Sequence, residues 1–144
     1  MAKVERTIHI NAPVEKVFGY LADPTNLPEI WPSMIEVKDV KQTPEGVGSS
    51  HRWVYKMAGM RFEGTAEMTE YVANQRTVIK DKGGIEATRT TTFQPEAGGT
   101  KCTSVIEYTV PVPLLGKLAE AVILRLNEHE SDAFWANLKA RMEA

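Results

Sequence analysis

Apolar positions along the chain switch between two spacings. In residues 4–10, Ile8 and Ile10 fall on one side and Thr7 and His9 on the other, which predicts a short strand. Val14, Val17, Phe18 and Leu21 follow at helical spacing. Pro13 in the first turn and Glu15 near the positive helix end suit a helix start, and Asp23-Pro24 stops it. Pro24, Pro28 and Pro32 leave room for only one or two further helical turns, so a bent pair of short helices is expected. From Met34 onward the spacing becomes alternation broken by turn residues. Strands are predicted near residues 34–42, 48–57, 61–73, 76–82, 85–94 and 101–110. Short connections between them imply an antiparallel meander. Pro111 and Pro113 end the last strand. Over residues 114–142, Leu115, Leu118, Ala119, Val122, Leu126, His129 and Ala133 share one helical stripe. Without repeats or linkers, residues 1–144 read as a single α+β domain with helices on one face of an antiparallel sheet.

The 48–69 hairpin says most about the interior. With its tip at Gly59 and Met60, His51, Trp53, Tyr55 and Met57 face Met68, Ala66, Gly64 and Phe62 on one side. The opposite side pairs Lys56 with Glu63 and Arg52 with Glu67, and opposite charges across the strands favour this register. Large aromatic groups with polar tips thus alternate with small residues. Either the tips are satisfied locally in an ordinary core, or the small residues leave a lined cavity. In the last strand, Cys102, Ser104, Ile106, Tyr108 and Val110 share the inward side. A three-residue loop at 82–84 would pair Lys80 with Glu86 and Ile79 with Ala87, turning Arg89, Thr91 and Phe93 inward. Arg89 is then a buried cation that needs a partner, or a strand-end side chain reaching solvent.

Chemistry-bearing residues are sparse. His9, His51 and His129 lie on three different elements, with His9 outward and no HxxxH or CxxC spacing, so no metal site is expected. Cys102 reads as a small core residue, and the glycines of EGVGSS and GGIE as turn glycines, neither opening a helix to hold phosphate. His129, on the apolar helical stripe, is the acid/base candidate, unless it is a satisfied core histidine. Glu128 and Glu130 are expected to face solvent.

Composition adds the setting. Of 144 residues, 42% are hydrophobic and 25% charged, enough for a core without disulfides or a structural metal. A net charge of −2 offers no electrostatic reason to bind nucleic acid or an anionic membrane surface. A single cysteine suits a reducing compartment. No apolar run approaches the roughly 18 residues of a membrane span, and the N-terminus lacks a leader's apolar core. A soluble, cytoplasmic protein, monomeric or weakly homodimeric, is expected.

Several stretches together resemble the START-like (SRPBCC, pollen-allergen-like) superfamily. They are IHINAPVEKVFGYLADPTNLPEIWPSMIEV, then EGVGSSHRWVY and MRFEGTAEMTEY, and AGGTKCTSVIEYTVPVPLLG before the long helix. Within it the chain is most similar to the polyketide cyclase/dehydrase-like group, and its start also resembles coenzyme-Q-binding START proteins. The resemblance implies a helix-grip fold: seven antiparallel strands wrapped around a long C-terminal helix, two short helices after strand one, and a hydrophobic cavity between sheet and helix. It implies no shared catalytic motif and no cofactor, because the superfamily spans carriers, binders and cyclases.

Three functions follow as expectations. The first is a module holding a hydrophobic small molecule such as a lipid, quinone or polyketide-like aromatic. Trp53, Tyr55, Phe62, Met68, Phe93, Tyr108, Val122 and Leu126 would line its site, with His51, Arg89 and His129 orienting the ligand. The second is a metal-free cyclase or dehydratase in which His129 or Arg89 assists enolate chemistry. The third is a protein-interaction module with a filled core and an exposed apolar surface near Leu114-Leu115-Gly116 or Trp135.

Overall fold

A computed structural model describes residues 2–57, 59–109 and 116–144, with side chains from residue 121 in the last segment. The elements are β1 (Ala2–Ile10), α1 (Val14–Ala22), a 3-10 turn (Pro24–Asn26), α2 (Leu27–Ile30), β2 (Met34–Lys41), β3 (Ser50–Met57), β4 (Met60–Val72), β5 (Arg76–Gly83), β6 (Glu86–Glu96), β7 (Gly99–Thr109) and α3 (Gly116–Glu143). The seven strands form one antiparallel sheet in the order β1-β7-β6-β5-β4-β3-β2. Thus β2 to β7 are a meander, and β1 returns beside the last strand. The helix-grip expectation holds. Expectations for Val110, Pro111, Pro113, Leu114 and Leu115, and for the side chains of Leu118 and Ala119, fall outside the described residues.

Two apolar clusters lie between the inner sheet face and the helices. One joins Val4, Met34, Trp53, Tyr55, Tyr108 and Ile123. The other joins Phe18, Phe93, Cys102, Trp135, Leu138 and Met142. Polar ties hold α3 in place: Asn137 Nδ2 donates to the Ile30 carbonyl at 3.0 Å, and Lys139 Nζ to the His9 carbonyl at 2.9 Å.

Both inner hairpins keep the expected faces but slide by two residues. In the β3–β4 pair, Met57 opposes Met60, Tyr55 opposes Phe62 and Trp53 opposes Gly64. The turn is therefore displaced by one position toward the N-terminus, and Gly59 within it takes a positive φ of 75°. Lys56 then faces Arg61, and Arg52 faces Thr65, so the expected charge pairs do not form. Packing outweighs those exposed pairs, each worth under about 1 kcal/mol. The Trp53 ring lies over Gly64, where a Cβ would sit 2.4 Å from the ring and 2.3 Å from the Lys82 carbonyl. In the β5–β6 pair, Ile79 opposes Arg89 and Asp81 opposes Ala87, again two residues from the expected register. A slide of two leaves every side chain on its original face, which is why alternation alone does not detect it.

The stripe of α3 is rotated from the one expected. Ile123, Ser131, Trp135, Leu138 and Met142 are buried, whereas His129 is exposed and Val122 is 56% exposed. His129 precedes Leu138 by nine residues, two and a half helical turns, and so lies on the opposite side. The bulky Trp135 and Leu138 set the helix phase, because their burial outweighs that of the smaller residues upstream. Trp135 is accordingly a core residue and not part of an exposed patch.

Candidate functional site

A cavity of two adjacent lobes lies between the inner sheet face, α3 and the α1–α2 corner. The outer lobe, about 100 Å³, is bordered by His51, Met68, Ile79, Thr91, Phe93 and Ser104. The inner lobe, about 60 Å³, is bordered by Trp53, Tyr55, Ala87, Tyr108, Asn127 and Glu130. Trp31, Arg89, Ile106 and Ser131 border both and form the waist. Strand alternation explains the wall: His51, Trp53 and Tyr55 on β3, Arg89 and Phe93 on β6, and Ser104 and Tyr108 on β7 all point inward.

Arg89 at the waist is paired. Its Nε donates to Asp81 Oδ2 at 2.7 Å and its Nη2 to Asp81 Oδ1 at 2.9 Å, a bidentate bridge. The guanidinium also lies 5.4 Å from the centre of the Trp31 ring. Asp81 owes its inward position to the alternation Thr77, Ile79, Asp81, and the two-residue slide brings it diagonal to Arg89. Sequence reasoning missed it, although this alternation was the available signal.

Glu130 is a second omission and a correction, since it was expected in solvent. It borders the inner lobe, and Ser33 donates its hydroxyl to Glu130 Oε1. Among the described residues, its Oε2 is buried without a hydrogen-bond partner. Trp31 Nε1, His51 Nε2, Trp53 Nε1 and the Tyr108 hydroxyl share that condition. Burial, reinforced by the nearby Arg89 charge, holds the His51 imidazole at a pKa of about 4, so it is neutral at pH 7. Burial likewise pushes the Tyr55 and Tyr108 phenols up. It also raises the Cys102 thiol to about 12, leaving no thiolate for nucleophilic chemistry at neutral pH.

Of the residues singled out from sequence, His51, Trp53, Tyr55, Met68, Arg89, Phe93 and Tyr108 meet around the cavity. Phe62 is buried in the Trp53 cluster but borders neither lobe, and Leu126 only packs against that cluster from its edge. Val122 and His129 face away, as the rotated helix phase requires. Among the described residues, no three His, Cys, Asp or Glu side chains gather as metal ligands would. No helix among them is long and apolar enough to cross a membrane.

Solved structures share this architecture. The Zhui aromatase/cyclase from Streptomyces sp. R1128 superposes with a TM-score of 0.84 at 16% identity, covering 99% of this chain and 93% of that one. A START superfamily protein from Mycobacterium smegmatis gives 0.81 at 14% identity, with coverage of 98% and 97%. The protein TTHA0849 from Thermus thermophilus gives 0.78 at 23% identity, also covering 98% and 97%. No curated protein matches the chain in sequence. The family model described as polyketide cyclase / dehydrase and lipid transport matches residues 1–143, and the chain therefore belongs to that family.

Proposed function

We propose that the protein binds a hydrophobic small molecule, a lipid, quinone or polyketide-like aromatic, in the two-lobed cavity. The observation that carries this reading is the combination of aromatic walls with buried polar atoms that have no partner among the described residues. An unsatisfied buried polar group costs about 1–3 kcal/mol, so several around one cavity favour an occupant that hydrogen-bonds to them. Concave, mainly apolar sites with a few fixed polar groups are the usual form of small-molecule pockets. Family membership supports the same reading. The single, buried Cys102 fits a reducing, cytoplasmic setting.

The test uses a neutral fluorescent probe, N-phenyl-1-naphthylamine, and native mass spectrometry of protein purified from its host. A retained hydrophobic adduct and saturable probe binding are expected. Thr91→Phe places a ring into the outer lobe without removing a core side chain, and should weaken the probe about tenfold. A folded Thr91→Phe protein that binds as the parent does would remove the cavity from the proposal.

A second reading, a cyclase or dehydratase in the same cavity, is favoured by Glu130. Its Oε2, without a hydrogen-bond partner among the described residues, shares the inner lobe with the Trp53 indole and the Tyr108 hydroxyl, an arrangement suited to accepting a proton from a carbon acid or hydroxyl. His129 is too exposed for that role. With a poly-β-ketone analogue, Glu130→Gln should lower kcat at least about a hundredfold with binding retained. Unchanged kcat would take Glu130 out of the chemistry.

A further inference from the structure

The inner lobe brings two kinds of polar atom together. From the sheet come Trp53 and Tyr108, only 3% and 5% exposed. Neither the indole Nε1 nor the phenol hydroxyl has a hydrogen-bond partner among the described residues. From α3 come Asn127 and Glu130, three residues apart and so on one side of the helix. Asn127 lies near the Tyr108 hydroxyl without a well-formed bond to it. Ser33 occupies Glu130 Oε1, and Oε2 is left without a partner among the described residues. An indole N–H only donates, an ionised carboxylate only accepts, and a phenol does either. The lobe thus offers an open donor and an open acceptor to one occupant.

Size and charge narrow the occupant. At about 60 Å³ the inner lobe is well below the roughly 150 Å³ of an apolar cavity that takes benzene, so it admits a head of a few atoms. A carboxylate or phosphate head would set a second negative charge beside Glu130 at low dielectric. Arg89 does not offset that repulsion, because both oxygens of Asp81 already hold its guanidinium. A ketone or quinone oxygen only accepts, which leaves Glu130 Oε2 unmet at a cost of about 1–3 kcal/mol. An ammonium only donates and has nothing for the Trp53 N–H. A hydroxyl donates and accepts through one small atom.

Resting on the cavity reading above, we infer that the ligand is a lipid-like alcohol whose hydroxyl sits in the inner lobe, donating to Glu130 Oε2 and accepting from the Trp53 indole or the Tyr108 phenol. Its hydrocarbon body lies toward the outer lobe, past Trp31, Ile106 and Ser131, which border both. A site built to hydrogen-bond a hydroxyl rejects analogues that lack it, because its own buried polar groups are then left unpaired.

The test displaces N-phenyl-1-naphthylamine with hexan-1-ol, 1-fluorohexane, hexylamine and hexanoate, which share one chain and differ in the head. Fluorine is close to hydroxyl in size but cannot donate, and its compound leaves water more readily. A pocket that reads only the chain therefore binds 1-fluorohexane more tightly than the alcohol. The parent protein should instead bind hexan-1-ol tightest, at least about tenfold over 1-fluorohexane, as one hydrogen bond to a charged group provides. Glu130→Leu should reverse that order. Binding of 1-fluorohexane, hexylamine or hexanoate by the parent as tight as that of hexan-1-ol overturns the hydroxyl site but not the cavity. An unaltered order in a folded Glu130→Leu protein does the same, and if that variant does not fold, the order in the parent decides. If neither the probe nor any hexyl compound binds, the cavity reading fails and this inference with it.

Discussion

Asp81→Ala should lower the unfolding free energy by about 3–5 kcal/mol, the largest effect expected of a single side chain here. Side-chain exposure of the Asp81–Arg89 pair is only 8% and 12%, so neither charge is well solvated. Removing the carboxylate leaves the guanidinium buried beside Trp31 with its strongest partner gone. Urea unfolding of the two proteins measures the difference directly. The double replacement Asp81→Leu with Arg89→Met should cost far less than the two single changes together, because no unpaired charge remains. A loss below about 1 kcal/mol for Asp81→Ala would mean that the pair behaves as a surface bridge and that water reaches the waist.

The second large effect is a pH dependence carried by His51. Its folded pKa of about 4 lies below the ordinary 6.5, so between those values the unfolded chain holds a proton that the folded one refuses. The stabilisation is complete above pH 6.5, declines as pH falls, and is gone below about pH 4. Two and a half units correspond to about 3 kcal/mol. Unfolding at pH 7, 5.5 and 4 should show this loss in the parent and a smaller one in His51→Gln. The difference between the two proteins separates the imidazole from carboxylates that protonate over the same range. Parallel losses would show that His51 charges freely in the folded state.

Much of this molecule is legible in its residues. The element order, the inward faces of β3, β6 and β7, and the aromatic lining at Trp53, Tyr55 and Tyr108 follow from alternation and turn chemistry. The resemblance to START-like proteins supplied the grip of sheet on helix. His129 lies in solvent, away from the stripe expected to dock, for a simple reason. The α3 sequence carries apolar residues on two sides, and which side docks depends on how Phe134 and Trp135 fit against Trp31 and the sheet. Glu130 and His129 are neighbours in sequence, yet that rotation puts one at the cavity and the other in solvent.

Side-chain alternation along a strand and spacing around a helix are local properties, so the sequence by itself determined which residues share a face. Which residues meet across two strands, and which side of α3 turns inward, are decided by packing between distant segments. A slide of two residues keeps every face intact while exchanging every partner. Only the tertiary structure therefore placed Trp53 over Gly64, Asp81 against Arg89, and Glu130 at the inner lobe.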